Sequence, residues 1–483
     1  MTAIMADFLP PISFIDPSMK ALPRILWVIL LFGLIRLYGI TNPPLEVPHA
    51  WRQTTVAMAA RNFYEVDPNI FYPRIDISED LTGITGMEFP LLNYLIFLVS
   101  EVFGYTHWYG RLINLIVSSL GCWFFYRLLR KYFNENISFY ATFILVVSLW
   151  FCYSRKIMPD TFSMSLILMG MYYGSNYLEG KGRSGWQLVG YLLLALLGLL
   201  SKLPSGYLMV LFVLLLFSKS VPLKRKLVFV IASMVVVVPV AWWYFHWVPY
   251  LVEEYGLWHF FMGKGILQGA KELVENWNDT LAHFYDNALK FIGFGVFLMG
   301  LVFCFVKKER LILRVLGLSF AAFLLVMMKS GWTFSHHDYY VIPFVPVMAL
   351  VAGFGVASVG NPKLRTVLLL AIALENVLNQ HVDFRIREDH RPILRLEEVF
   401  DGFSERTDLI AINSGQNPTP MYFAHRKGWV ATNEQLSDPA FVTDLQQRGC
   451  KYLLVLKRAY GTDLQLEYSK VFDDENYTVY ALN

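Results

Sequence analysis

Residues 43–93 read PPLEVPHAWRQTTVAMAARNFYEVDPNIFYPRIDISEDLTGITGMEFPLLN and follow directly on the first strongly hydrophobic segment of the chain. This stretch concentrates Glu, His, Arg, Asp and Tyr together with several prolines, although 55% of the chain is hydrophobic. Polar groups gathered at a membrane surface usually mark a site. We therefore expect this loop to carry the functional face of the molecule.

The composition is that of a polytopic helical membrane protein. The chain has 483 residues, a mean hydropathy of +0.43 and only 16% charged residues, which is too apolar for a soluble protein of this length. The N-terminal MTAIMADFLPPISF lacks the basic start and the cleavage site of a signal peptide, so the first span, 21–40, is expected to be an uncleaved anchor. Further apolar runs of span-like character lie at 110–128, 137–153, 161–178, 187–200, 204–217, 226–246, 288–306, 311–328, 339–358 and 364–380.

The distribution of positive charge predicts the number and orientation of the spans. Residues 90–104 (PLLNYLIFLVSEVFG) are short for a span and suit an interfacial or re-entrant helix. If this run does not span and the N-terminus is cytoplasmic, the basic loop clusters fall on the cytoplasmic side. Counting it as a span would place the RLLRK cluster at 127–131 outside. The pattern predicts eleven spans, with the N-terminus inside and the C-terminus outside.

The chain becomes polar after residue 380, which predicts a second domain. We expect a transmembrane domain at 1–380, in which 41–104 form the first outer loop with interfacial helices, and a small soluble α/β domain at 381–483. Residues 439–449 have a helical pattern that ends at a glycine. Strand-like alternation occurs at 408–413, 452–456 and 477–482.

Residues 266–285, within the long outer segment 247–287, have the apolar spacing of an amphipathic helix. Such a helix either lies on the membrane surface beside a lipid-binding cleft or packs against the outer domain.

Charge and cysteine content exclude several classes of function. The net charge is only +3 and the basic residues sit in short loops, which argues against a nucleic-acid partner. The first loop has no Asp-x-Asp motif, so a divalent metal is not indicated and no cofactor is predicted. The four cysteines show no disulfide or metal-ligand spacing and are expected to be core residues: Cys122, Cys152, Cys304 and Cys450.

The first loop offers basic residues on a short helix that is predicted to begin after Pro48. Spacings of three and nine residues suggest that His49, Arg52 and Arg61 lie near one side of this helix. A guanidinium group binds phosphate in a bidentate manner, so these arginines are candidates for holding one. The alternative is that they bind lipid headgroups or helix ends.

Carboxylates in the same loop are candidates for a general base. Asp76 follows a Tyr-Pro-Arg sequence, and Glu88 directly precedes the apolar run at 90–104. A carboxylate at the mouth of a membrane cavity can take a proton from an alcohol or amine nucleophile. Glu46 offers the same chemistry, although most loop carboxylates are simply solvated.

Other outer turns carry positive charge on the face where it should be scarce. Arg155 and Lys156 lie in an RKIMPD turn, Lys202 in SKLPSG, and two histidines in SHHDYY. Such clustering suits an anionic ligand, for example a phosphate at the membrane surface. The His-His-Asp run is either a metal-ligand set or a hydrogen-bonding group, and adjacent histidines do not share a helix face.

The order of these features resembles the C-type-fold glycosyltransferases, in particular the bacterial relatives of the dolichyl-phosphate-mannose protein mannosyltransferases and of the lipid A aminoarabinose transferase. The likeness covers residues 20–380. It implies transfer of a hexose or pentose from a polyprenyl-phosphate donor to a lipid, glycan or protein acceptor, by inverting displacement at the periplasmic side of the bacterial inner membrane. A loop carboxylate would act as the base, and basic residues would hold the lipid phosphate.

The resemblance can be followed motif by motif. His49 stands where the family has its usual catalytic acid, and Arg52 fits the arginine three residues later. GMEFPLLNY matches the acidic-x-Pro segment, which makes Glu88 the best-aligned carboxylate, while IMPD and HHDYYVIPFVP match the Pro-Asp turn and the His-x-Tyr-Tyr segment near the donor phosphate. The predicted catalytic residues are Glu88 or Asp76 as base and His49 as a proton shuttle or acceptor contact. The predicted substrate-binding residues are Arg52, Arg61, Arg155, Lys202, His336, His337 and Tyr340.

Two other classes of function compete with the enzyme. A lipid or sugar transporter or flippase usually shows internal repeats and charges in mid-span, whereas this sequence has no convincing repeat and places its charges at span ends. A non-catalytic scaffold would leave the polar first loop unexplained. A membrane glycosyltransferase is therefore the leading hypothesis, with a transporter as the alternative.

Overall fold

The computed structural model describes residues 23–257 and 263–482, and helices dominate it as far as residue 401. Their apolar side chains meet in one large core that includes Cys122, Trp150 and Val345. The α-helices of this part are Arg24–Arg36, Ala50–Glu65, Leu91–Phe103, Tyr109–Leu129, Glu135–Val147, Trp150–Tyr153, Pro159–Glu179, Ser184–Ser201, Phe212–Leu216, Leu223–Trp242, Val248–Tyr255, Ile266–Glu275, Trp277–Ala282, Lys290–Val306, Arg310–Ser330, Trp332–His336, Val345–Ser358, Pro362–Gln380 and Leu396–Asp401. The 3-10 helices are Leu203–Leu211, Asp338–Phe344, His381–Phe384 and Glu388–Arg395, and the π-helices are Trp243–Trp247 and His283–Ala288.

The described helices confirm a multi-pass membrane protein but do not reach eleven spans. Six are long and apolar enough to cross a membrane, or seven if a pair bent by 94° counts as one. Helix Pro159–Glu179 has 21 residues but is not among the six, because it contains polar side chains that lower its hydropathy. Most of its residues are buried by the rest of the protein, which tolerates these polar side chains. The six are Tyr109–Leu129, Ser184–Ser201, Leu223–Tyr255, Arg310–Ser330, Asp338–Ser358 and Pro362–Phe384, and the bent pair is Trp277–Ala288 with Lys290–Val306.

The first loop contains a buried helix, Ala50–Glu65, hereafter the loop helix. It begins shortly after Pro48, as predicted, and His49 precedes it with a left-handed φ of 64°. Val56 belongs to an apolar cluster with residues of the neighbouring membrane helices. Met58 belongs to a different cluster, which is formed largely by residues after 390. The loop helix is therefore packed between the membrane helices and the C-terminal part of the chain.

The C-terminal part contains a five-stranded mixed sheet. Its strands are β1 Leu409–Ile412, β2 Lys427–Val430, β3 Cys450–Leu456, β4 Ser469–Asp473 and β5 Tyr477–Ala481, and their order is β2-β1-β3-β5-β4. The sequence patterns predicted three of these strands. Strand β2 was missed because it contains a glycine, and β4 was missed because it is mostly exposed. Gly428 in β2 has φ 144° and lies so close to Ile410 of β1 that a side chain there would clash. Short helices Thr419–Ala424, Asn433–Ser437 and Pro439–Gln447 connect the strands.

Residues 266–285 do not form the single amphipathic helix that was expected. Helix Ile266–Glu275 ends at Asn276, whose side-chain amide donates to the Glu272 carbonyl. The helix approaches Arg310–Ser330 closely at Gly269, where a side chain would collide with the Met328 carbonyl oxygen. This segment therefore packs against a membrane helix.

Candidate functional site

A cavity of about 740 Å³ lies between the loop helix and the membrane helices. It brings together five residues that were predicted to form the site. Its apolar wall includes Phe245 and Leu325, which are 69% and 54% exposed. The predicted residues that line it are Arg52, Glu88, Lys202, His337 and Tyr340.

Arg52 and Glu88 form an ion pair inside this cavity. The Arg52 Nη2 donates to the Glu88 Oε1 over 2.5 Å, and the two side chains are only 8% and 13% exposed. Arg52 lies in the first turn of the loop helix, and Glu88 precedes helix Leu91–Phe103. Burial would lower the pKa of Arg52, but the attraction of Glu88, together with that of Tyr339, Asp160 and Tyr340, outweighs burial and the pKa is raised. The guanidinium therefore stays charged.

Lys202 and Asp160 form a second buried ion pair beside the first. Lys202 directly follows helix Ser184–Ser201. The helix ends here because Pro204, two residues later, disfavours the helical conformation of the residue before it. Its ammonium group faces the rings of Tyr339 and Tyr340, with centroids 4.8 and 5.2 Å from Nζ. Asp160 lies in the first turn of helix Pro159–Glu179, where a carboxylate is favoured by the helix dipole.

His337 lines the cavity, whereas His49 stands just behind the lining. The His49 Nε2 lies 2.8 Å from the Asp338 Oδ1, which also accepts a hydrogen bond from the Tyr153 hydroxyl. The rings of His49 and His337 are 6.0 Å apart. Burial, and then the proximity of His49, lower the pKa of His337 to about 4. At neutral pH His337 is therefore a neutral hydrogen-bonding group and adds no positive charge.

Asp76 and Arg61 lie outside this cavity, in contrast to the prediction. The Arg61 Nη2 donates to Asp76 over 2.8 Å, and the other Asp76 oxygen accepts from Asn62. Arg61 also donates to the Tyr422 carbonyl oxygen in the C-terminal part. Nine residues are two and a half helical turns, which places Arg61 on the opposite side of the loop helix from Arg52. Asp76 is thus engaged in packing the loop.

Arg155 and His336 are also held away from the cavity. Arg155 and Arg111 both bind the Glu46 carboxylate, and all three side chains are almost fully buried. Glu46 is therefore neutralised by two cations and is poorly suited to act as a base. His336 is exposed and stacks on Trp332 at a ring distance of 3.9 Å.

Three residues that sequence reasoning did not assign contribute to the site. Asp160 and Asp338 pair with Lys202 and His49, and both were visible as acids inside the quoted IMPD and HHDYY motifs. Trp51 lines the cavity next to Arg52 and lies 5.7 Å from the His337 ring. No pattern in the sequence distinguished this tryptophan from other interfacial aromatic residues. Within residues 23–257 and 263–482, no three His, Cys, Asp or Glu side chains are grouped so that they could hold a metal ion.

Residues 88–244 match the family model described as dolichyl-phosphate-mannose-protein mannosyltransferase, and the match includes Glu88, Asp160 and Lys202. No curated protein matches the chain at a significant level. ArnT from Cupriavidus metallidurans, solved with undecaprenyl phosphate, is similar over 95% of this chain and 98% of its own, with 13% identity and a TM-score of 0.60. The chain has the fold of the C-type glycosyltransferases.

A second solved structure shares this fold. The oligosaccharyltransferase AglB from Archaeoglobus fulgidus, in complex with an inhibitory peptide and a dolichol-phosphate, is similar over 89% of this chain and 69% of its own. The identity is 12% and the TM-score is 0.54. The family resemblance recognised in the sequence is thereby confirmed at the level of the fold.

Proposed function

We propose that the protein is an integral membrane glycosyltransferase that moves a sugar from a polyprenyl-phosphate donor to an acceptor by inverting displacement. The observation that carries this proposal is the cavity itself. It combines a carboxylate, Glu88, with two fixed cations, Arg52 and Lys202, and its apolar wall reaches the lipid-facing surface at Phe245 and Leu325. A lipid phosphate needs both an anion site and an apolar channel, and this cavity offers the two together.

The two cations suit the donor phosphate. The guanidinium of Arg52 can bind two phosphate oxygens at once, and the ammonium of Lys202 supplies a further point charge. His337 is neutral and can donate one hydrogen bond without repelling either cation. Prenyl units would lie along the apolar wall that Phe245 and Leu325 form.

The transfer step then requires one base and a stabilised leaving group. Glu88 takes the proton from the acceptor hydroxyl or amine, and the freed electron pair forms a bond to the anomeric carbon of the sugar. The bond from this carbon to the phosphate oxygen breaks, and its electron pair stays on the phosphate. Fixed positive charge from Arg52 and Lys202 stabilises the polyprenyl phosphate as it leaves.

We infer a multi-pass protein of the bacterial inner membrane with eleven spans, a cytoplasmic N-terminus and a periplasmic C-terminus, because the basic loops then lie inside. Residues 381–483 would form a periplasmic domain that covers the loop helix. Packing of Met58 against residues after 390 supports this arrangement.

The alternative function, a lipid or sugar transporter, has less support. The proteins of similar fold named above are glycosyltransferases, and the buried charges of the cavity lie in ion pairs at helix ends. A transporter would bind the lipid-linked sugar without cleaving it.

Donor consumption by the purified protein tests the proposal. Wild-type protein in nanodiscs receives radiolabelled polyprenyl-phosphate pentoses and hexoses together with a total membrane extract as the acceptor source. We expect release of sugar-free polyprenyl phosphate, and we expect Glu88→Gln to lower the rate about 10²- to 10⁴-fold, the usual contribution of a general base. Glu101→Gln, an exposed carboxylate on helix Leu91–Phe103, is the matched control and should react like wild type. Binding of donor without its consumption would favour the transporter.

A further inference from the structure

Both cations of the cavity are already bound to carboxylates. Arg52 is paired with Glu88, and Lys202 is paired with Asp160, while all four side chains are less than 15% exposed. In this state the guanidinium of Arg52, which is proposed to bind the donor phosphate, is bound to Glu88, the proposed base. A carboxylate that accepts a short hydrogen bond from arginine is a weak base, because the pairing favours its charged form.

We propose that the donor phosphate competes with Glu88 for Arg52, so that donor binding releases Glu88 to act as the base. This inference rests on the proposed function and adds a regulation of the same site. The donor phosphate is a diester with one negative charge, and its two unesterified oxygens can accept from the guanidinium in a bidentate manner, whereas the Glu88 Oε1 accepts from the Nη2 of Arg52. The exchange keeps Arg52 paired throughout, while the Glu88 carboxylate loses its contact with the guanidinium and becomes a stronger base.

The exchange has a consequence for the order of binding. Before the donor arrives, Glu88 is engaged and an acceptor hydroxyl finds no competent base. After Arg52 turns to the phosphate, Glu88 remains in the cavity beside the position of the sugar, and the acceptor can be activated. Donor therefore binds first and the acceptor is activated second.

Linkage between the two anions gives a test that a merely structural role of Glu88 would not satisfy. If Glu88 and phosphate compete for Arg52, removing the Glu88 charge must strengthen phosphate binding, although it slows turnover. The probe is sugar-free polyprenyl phosphate, titrated into wild-type protein, Glu88→Gln and the control Glu101→Gln in nanodiscs. We expect Glu88→Gln to bind it at least fivefold more tightly than wild type, and Glu101→Gln to bind it like wild type.

A double-mutant cycle separates this exchange from simple charge repulsion. Arg52→Met should weaken binding of polyprenyl phosphate, and in that background Glu88→Gln should give little or no gain. An equal gain with and without Arg52 would overturn the inference, and so would weaker binding by Glu88→Gln. If wild-type protein does not bind polyprenyl phosphate at all, the proposed function fails as well. Binding by wild type without any gain in Glu88→Gln refutes the exchange alone.

Discussion

Breaking the buried ion pair between Arg61 and Asp76 should loosen the loop helix from the C-terminal part of the chain. The two side chains are 7% and 5% exposed, and the Arg61 Nη2 lies 2.8 Å from the Asp76 Oδ2. Arg61 also packs its guanidinium on the Tyr422 ring at 4.5 Å. Removing one partner of a buried pair costs about 3–5 kcal/mol, because the other charge is left uncompensated. Arg61→Met should therefore raise the population of the undocked helix on the order of a hundredfold or more.

Amide hydrogen exchange of residues 50–65 measures this population directly. Exchange in Arg61→Met should be faster than in wild type by that factor. The double variant Arg61→Met with Asp76→Asn should recover most of the protection, since no unpaired charge remains. Arg74→Met is the matched control, because its pair with Asp67 is more exposed and should contribute less than about 1 kcal/mol. Unchanged exchange in Arg61→Met, or a double variant as unstable as the single one, would refute this reasoning.

Two further predictions concern charge in the cavity and at the edge of the loop helix. Lys202→Met should lower the rate of sugar transfer about 10²- to 10³-fold, because a fixed charge at the leaving phosphate is lost, whereas Lys271→Met, 77% exposed, should leave the rate unchanged. His425 lies between the carboxylates of Glu65 and Glu397; burial opposes its protonation, but these two bonds raise its pKa above 6.5. The stabilisation is therefore complete below pH 6.5 and is lost as the pH rises through the raised value. The protection factors of residues 50–65, which correct exchange for its intrinsic pH dependence, should fall over that range in wild type but not in His425→Gln. Protection factors that do not change with pH in wild type would contradict this role.

The membrane fold was predictable because it depends on features that the sequence carries directly. Apolar runs and the sidedness of basic loops identified a polytopic protein, and the short run at 90–104 is a 13-residue helix, Leu91–Phe103. The number of spans was harder to predict. Helix Pro159–Glu179 is buried by protein along most of its length, so its side chains need not be as apolar as those of a helix that faces lipid.

The candidate site was predictable in part, for a physical reason. Glu88, Arg52 and Lys202 lie in motifs at the ends of apolar runs, and the sequence predicted that all three lie on the same side of the membrane. In the structure they line one cavity. Asp76 and Arg61 lie in the same loop, yet they bind each other, and Arg61 also donates a hydrogen bond to the C-terminal part of the chain. These contacts hold the loop helix against that part. Such long-range pairing of charges depends on tertiary packing, which local sequence patterns do not encode.

A structure of the protein with sugar-free polyprenyl phosphate bound is the most direct test of the proposed site. We predict that the phosphate lies in the cavity, within hydrogen-bonding distance of Arg52 and Lys202, with Arg52 turned away from Glu88 and the prenyl chain along Phe245 and Leu325. A lipid phosphate bound elsewhere, for example beside Arg61, with the Arg52–Glu88 pair intact, would contradict the proposed site and its mechanism.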